Sequence, residues 1–484
     1  MIKTIANNVV SALSIFVLST MSVSAENTKN NLPEIGVVAS SAISLDKEVL
    51  IGDALMRQLR GQAPIINDPL LDEYIQDIGN RLVAQADNVK FPYKFFIINS
   101  PDINAFAFFG GHIGIHTGLI FNAKNESELA SVLAHEVSHV TQRHIARSIE
   151  ARQKSSPLQI ASLLGSILLA VVNPEAGMAA ISVSNAASAQ SSINYTRQNE
   201  KEADRVGIGI LADAGFDPNG ASSFFSILAE KNRLKSTPLA FLLTHPLPES
   251  RIADARTRAA LFRQRNVPES INFHLAKSRI LARYYANPKR NIEYFSDILQ
   301  RRRYVFKQAA EYGLALSYLA EEQFEPALEL ISGLLQPEPN NLFYLDAYTD
   351  IAIGMNQHQK AIDKLSAQIV HTPFNRVLTL NLANVLIKNK DFARATTLLK
   401  DYLLINPDNL LAYELLSDAY SNSEQKLEMH QVKAEVYALV AAYPRAIDEL
   451  HNAYNFADER NIERKRIRAR IEQFRTAQER LQSL

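Results

Sequence analysis

The chain has 484 residues, of which 51 are basic, 51 are acidic and none is cysteine. It is long enough for two or more hydrophobic cores, and its zero net charge offers no basic field to nucleic acid. Without thiols there is no disulfide, no lipoprotein anchor and no thiolate-bound structural zinc, so any zinc here must use imidazole and carboxylate.

Met1 to Ala25 reads as a secretory signal. Lys3 supplies a short positive start, Val9 to Met21 is largely apolar, and Val23-Ser24-Ala25 gives small residues before a cut. The apolar part is too short and too broken by Ser and Thr for a good membrane span. The mature chain is expected to start at Glu26.

Asp46–Leu59 and Pro69–Val83 have helical periodicity, and Phe91–Ile98 is strand-like. Ala105–Phe109 and His112–His116 flank Gly110-Gly111, which predicts a small hairpin. A strand running past a catalytic site offers a peptide backbone an edge to pair with. Phe106, Phe108 and Phe109 either line such an edge or are ordinary core.

The next segment, Leu133 to Val140, contains His135-Glu136-x-x-His139. On a helix the two histidines lie one turn apart on one face and reach a single ion, with Glu136 placed to take a proton from an attacking water. Asn125 with Glu128 marks the helix start, and Leu129, Val132, Leu133 and Val140 recur at helical spacing. Surface or core histidines are the bland alternative, but burying Glu136 beside them without a charge partner would be costly.

Catalytic zinc needs a third protein ligand and an open position. A metzincin would place Gly at 142 and His at 145, where this chain has Gln142 and Ile145. His144, five residues past His139, is expected to turn away from the ligand face. Within Ser155 to Ile193, Ile160 to Val172 is an apolar run of thirteen, followed after Asn173-Pro174 by a small-residue stretch rich in Ala and Ser. It reads as a lid, as a patch touching membrane or partner, or as a buried helical hairpin.

Glu200 and Asp204 share a helix face at i, i+4. Alone they suit a charged surface helix. Beside His135 and His139, Glu200 is favoured as the zinc ligand and Asp204 as a hydrogen-bond partner of the site. Glu202 is expected to point elsewhere, into solvent. His245 lies in a loop constrained by Pro246 and Pro248. It is an oxyanion donor, a removable fourth ligand or a turn histidine; spacing does not choose.

The C-terminal half repeats. Ala327, Ala361 and Ala395 are spaced by 34, and so are Pro339, Pro373 and Pro407. Phe324, His358 and Phe392 each precede an Ala by three. This is the tetratricopeptide pattern, in which small residues let paired helices approach. A further unit centres on Ala446, 51 past Ala395, which predicts an interruption around Asn422 to Gln431. Residues 270–305 look helical and would add degenerate units. Arg301-Arg302-Arg303 and the Arg460 to Arg470 region read as solvated helix faces.

These pieces resemble the zinc metallopeptidase family of the CAAX prenyl endopeptidases and the membrane heat-shock protease HtpX, most closely a periplasmic branch carrying tetratricopeptide repeats. The matching residues are Asn104-Ala105-Phe106-Ala107 with Gly110-Gly111, His135-Glu136-x-x-His139, Glu200-x-x-x-Asp204, and His245-Pro246 with Arg251. The resemblance implies an α+β, mostly α, fold: a gluzincin-type domain over 26–265, then an α-solenoid of repeats over 266–484. It implies one Zn2+ held by His135, His139 and Glu200, with Glu136 as base and Asp204 as acidic partner and proton donor. His245 would be a fourth ligand or switch, Arg251 a support, and Asn104 to Ala107 the substrate edge. The implied setting is the periplasm, possible peripheral contact with the outer membrane included. The implied partners are unfolded or misassembled outer-membrane proteins and the β-barrel assembly machinery, with no nucleic acid. The alternative function is an adaptor or chaperone whose repeats act while the zinc site is silent.

Overall fold

The computed structural model describes residues 43–151, 186–234, 236, 238–247, 249–263, 266–285, 287–457 and 462–482. The expected signal segment, residues 155–185 of the apolar stretch, Pro248 and Arg460 lie outside the described residues. Among those described, no helix is long and apolar enough to cross a membrane.

Helix α1 (Leu45–Gln62) starts where the Ser44 side chain accepts the Lys47 N–H. Helix α2 (Pro69–Val83) has the expected bounds because its start is doubly specified. Asp68 accepts the Leu70 and Leu71 N–H groups, and Pro69 stands where a missing N–H costs nothing. Strands β1 (Lys94–Ile98), β2 (Ala105–Phe108) and β3 (His112–His116) form one mixed sheet in the order β1-β3-β2. The first begins only after Pro92, which has no N–H for a ladder. β1 runs parallel to β3, while β2 runs antiparallel to it and pairs Phe108 with His112. The β2–β3 turn needs glycine: Gly110 and Gly111 have φ of 73° and 80°, and a Cβ on Gly111 would sit 2.6 Å from the Pro92 carbonyl oxygen.

A short α3 (Thr117–Asn122) leads into α4 (Glu126–Thr141), which packs under β2. Asn125 caps α4 by accepting the Glu128 N–H at 2.9 Å. The Glu128 carboxylate accepts the Lys124 N–H at 2.6 Å, one residue before the usual reciprocal bond. Leu129, Ala130, Leu133, Ala134 and Val137 are fully buried, so α4 runs through the core rather than along its surface. Around it lie α5 (His144–Ala151), α6 (Ala186–Asp213), α7 (Asn219–Arg233), α8 (Ala240–Thr244) and α9 (Glu249–Ala259). The result is α+β and mostly helical.

Helices α10 (Ile271–Ile280) and α11 (Pro288–Gln300) precede a row of helix pairs. The pairs are α12 (Lys307–Ala320) with α13 (Phe324–Leu335), α14 (Leu342–Gly354) with α15 (His358–Ile369), α16 (Arg376–Lys388) with α17 (Phe392–Ile405), and α18 (Leu410–Asn422) with α19 (Lys426–Leu439). Helices α20 (Tyr443–Phe456) and α21 (Ile462–Gln482) follow. Ala327, Ala361 and Ala395 are fully buried in second helices. Two further series keep the 34-residue step. Asn341, Asn375 and Asn409 each cap the next helix with a side-chain oxygen. Glu322, Asn356, Lys390 and Glu424 each turn the chain within a pair at φ of 57°, 57°, 63° and 59°. The series runs through Glu424, so the expected interruption around Asn422 to Gln431 is wrong. Met429 stands where the other units have Ala. Ala446 lies in a first helix, in phase with Ala412, and 51 residues is one and a half steps.

One continuous hydrophobic core runs from Ile66 to Tyr420. A buried polar knot crosses it. Arg279 of α10 donates to Asp68 at 2.6 Å, to Asp346 of α14 at 2.6 Å and to the Tyr312 hydroxyl at 3.0 Å. Tyr284 donates to Asp68 at 2.9 Å, and Asn381 to Asp346 at 3.0 Å.

Candidate metal centre

Helix α4 carries His135 and His139 one turn apart, and α6 carries Glu200 and Asp204 one turn apart. The helices cross closely because α6 has glycine at the contact. A Cβ on Gly207 would lie 3.2 Å from the Ala134 carbonyl and the His135 Cα. His245 follows α8 and stacks on Phe241, with ring centroids 4.6 Å apart.

These placements make four donor atoms converge. His135 Nε2 is 3.0 Å from His139 Nε2 and 3.3 Å from His245 Nδ1. Glu200 oxygens lie 3.4 Å from His135 Nε2, 3.3 Å from His139 Nε2 and 3.1 Å from His245 Nδ1. All four residues place ligand atoms within 4.8 Å of one another. Donors about 2 Å from a tetrahedral ion stand about 3.3 Å apart, so the spacing fits a single ion. The charges fit too. His135 Nδ1 is 3.1 Å from Asp204 Oδ1, so an N–H there leaves the Nε2 lone pair facing the other donors. Lone pairs 3.0 Å apart repel unless a cation lies between them. Three carboxylates, Glu136, Glu200 and Asp204, are gathered here with one guanidinium, Arg251, which pairs with the last two. With neutral imidazoles the centre is two charges negative, which a divalent cation balances.

The titration shifts follow from this crowding. Burial opposes charge on His135, but Asp204 and Glu200 outweigh it and raise the ring to about 10. Burial pulls His139 down to about 3, and the nearby His135 adds to this because rings this close do not both become imidazolium. Burial would raise Glu200 and Asp204, yet the histidines around the one, and His135 with Arg251 around the other, hold both below the usual carboxylate range. Burial raises the Glu136 carboxyl, against the pull of His245 and His135 and the Ala107 backbone amide. Arg251 clamps the group. It donates to Asp204 at 2.7 and 2.8 Å, to Glu200 at 2.9 Å and to the Pro246 carbonyl at 2.7 Å.

A cleft of ≈ 260 Å³ opens on these residues, lined by Asn104, Phe106, Ala107, Glu136, His139 and His245 among others. The Asn104 Oδ1 has no partner among the described residues. Ala105 is buried in the core and, of Asn104 to Ala107, does not line the cleft. Phe108 and Phe109 line the cleft and are also buried in a second hydrophobic cluster.

Two expectations need correction. His144 does not turn away: its Nδ1 lies 2.8 Å from His139 Nδ1. Glu202 is not simply solvated; it accepts from Arg147 at 2.8 Å and meets His144 Nε2 at 3.2 Å. Helix α4 ends at Thr141, and Arg143 takes a left-handed φ of 51° that swings His144 back. Arg143 is held there by Glu48 at 2.9 Å and the Ile43 carbonyl at 2.8 Å.

Residues 69–259 match the model of peptidase family M48. The chain is 43% identical over 458 residues to the beta-barrel assembly-enhancing protease of Escherichia coli (strain K12), covering 94% of this chain and 93% of that one. It is 41% identical over 449 residues to the protein of the same name from Yersinia pestis, covering 93% and 92%. The mitochondrial metalloendopeptidase OMA1 of Arabidopsis thaliana is 30% identical over 178 residues, 37% of this chain and 32% of that one. With the site's converging donors, this likeness over nearly the whole length decides the assignment: the chain belongs to the beta-barrel assembly-enhancing protease family, within peptidase family M48, and is a metalloprotease.

Proposed function

We propose that this protein is a zinc endopeptidase of the Gram-negative periplasm that cleaves unfolded or misassembled outer-membrane β-barrel proteins. Its helical repeats, read as tetratricopeptide units, hold those substrates or the machinery that assembles them. The observation that carries the chemistry is the convergence of His135, His139, Glu200 and His245 within 4.8 Å beside the buried Glu136. The substrate class rests on the names of the relatives, which span nearly the same length.

His135, His139 and Glu200 would hold the ion. When bound, zinc supplies a Lewis acid that polarises the scissile carbonyl. Glu136 takes the proton of the attacking water and returns it to the leaving amine; its raised affinity for protons suits both steps. Asp204, 3.1 Å from His135 Nδ1, favours by its charge the tautomer that keeps the proton on that nitrogen. The edge of β2 from Asn104 to Ala107 receives substrate in extended form. His245 stands where a substrate carbonyl would approach, and Arg251 holds its loop through Pro246, so His245 acts as a removable plug.

Zinc content and cleavage of an unfolded β-barrel substrate test this together. The wild-type chain should carry one zinc. Glu136→Gln should keep the metal and lose at least about a hundredfold in cleavage. His245→Ala should cleave faster than wild type and begin to cut itself. Absence of stoichiometric metal, or a Glu136→Gln chain that still cleaves, would reject the reading. An inactive His245→Ala chain would reject the plug alone.

A further inference from the structure

The two imidazoles of α4 are backed differently. Behind His135 stands a carboxylate, Asp204. Behind His139 stands a second imidazole, His144, on the first turn of α5. We propose that His144, backed in turn by Glu202, is a positioning residue that fixes the tautomer and ring orientation of His139 for the metal. This rests on the reading of His139 as a ligand.

The proton count leaves one arrangement. A neutral imidazole carries one proton. Offering the Nε2 lone pair to the centre puts the His139 proton on Nδ1, where it is donated to His144 Nδ1 at 2.8 Å. An accepting Nδ1 puts the His144 proton on Nε2, where it is donated to Glu202 Oε2 at 3.2 Å. Arg147 donates to the same oxygen at 2.8 Å and anchors the end of the chain. The rings of His139 and His144 meet at 77°, so an in-plane N–H of one meets an edge of the other.

His144 is not itself a fourth donor. It approaches His139 from the nitrogen that faces away from Glu200 and His135, and the converging set is completed by His245 instead. Nor is its position an accident of the helix. Arg143 must adopt its left-handed turn, with Glu48 and the Ile43 carbonyl holding the guanidinium, before His144 can face back. The local fold thus spends a strained residue on placing this ring.

The test is zinc affinity, measured by competition with a chelator of known affinity on the full chain. A Glu136→Gln background prevents self-cleavage. His144→Ala should bind zinc about 10- to 100-fold more weakly, the usual cost of losing such a partner. His144→Asn puts an amide oxygen where Nδ1 stood and should recover most of that loss. Glu202→Ala, at a side chain 28% exposed, should weaken binding in the same direction but less. The metal-free chains should share one unfolding temperature. An unchanged affinity in His144→Ala would overturn the proposal, as would an equal loss in His144→Asn, which marks simple packing. Should His144→Ala not fold, an unchanged affinity in Glu202→Ala overturns it instead. A parent chain that binds no zinc defeats the metal reading itself and this proposal with it; a tight-binding parent with unaffected variants defeats this proposal alone.

Discussion

His116 closes β3 with a ring 2% exposed, and neither of its nitrogens has a hydrogen-bond partner among the described residues. Burial holds its pKa at about 4, against the weaker pull of Asp102, where a free histidine titrates at 6.5. Protons therefore bind the unfolded chain more readily. The stability tied to this neutral ring is complete above pH 6.5 and is lost as pH falls to 4, a change of about 3 kcal/mol. His116→Phe keeps a ring and removes the titration. Denaturant unfolding of both chains between pH 7 and pH 4 should show the variant's curve flatter by that amount. Equal slopes would show that the His116 ring finds solvent or a partner.

At the level of helices, the centre depends on how closely α6 approaches α4. Gly207→Val adds three carbons where a single Cβ already meets the α4 backbone at 3.2 Å. Overpacking of this kind costs about 1–3 kcal/mol. Here it also moves Glu200 and Asp204 away from both imidazoles, so the variant should lose metal while its helix content stays. Wild-type metal content and melting temperature would show that the contact is slack. Helices were legible in the sequence where two local signals agreed. Asp68 with Pro69 fixed α2, and Asn125 with the apolar spacing fixed α4. The pairing of Glu200 with Asp204 was legible as a helix face, but its meaning depended on histidines about sixty residues away. The place of His144 is not legible in the sequence, because five steps along an unbroken helix turn a side chain about 140° and nothing local shows that the helix stops at Thr141. The alanine series alone loses its phase after Ala395, because Met429 holds the next position and Ala446 falls in a first helix. The capping asparagines and the left-handed residues at 322, 356, 390 and 424 carry the phase through.

For the molecule as a whole, Arg279 is the residue on which the parts meet. It joins the cap of α2 to α14 in the helix array through two buried carboxylates. Burial disfavours its charge, but Asp346 and Asp68 outweigh that and raise its pKa. Arg279→Leu leaves those carboxylates buried without their counter-charge and should cost about 3–5 kcal/mol in denaturant unfolding. A loss below about 1 kcal/mol would mean that the knot relaxes into solvent. The core running from Ile66 to Tyr420 binds the same parts by apolar packing, so catalytic body and array should melt in one transition. A shared interior also denies the array any freedom to swing. On the proposed function, a client gripped by the helices would be tethered at a set span from the cleft, and only loose ends or unpaired hairpins with enough slack would bridge it. Selection would then follow how much free chain a client offers, with the order of its residues a secondary matter.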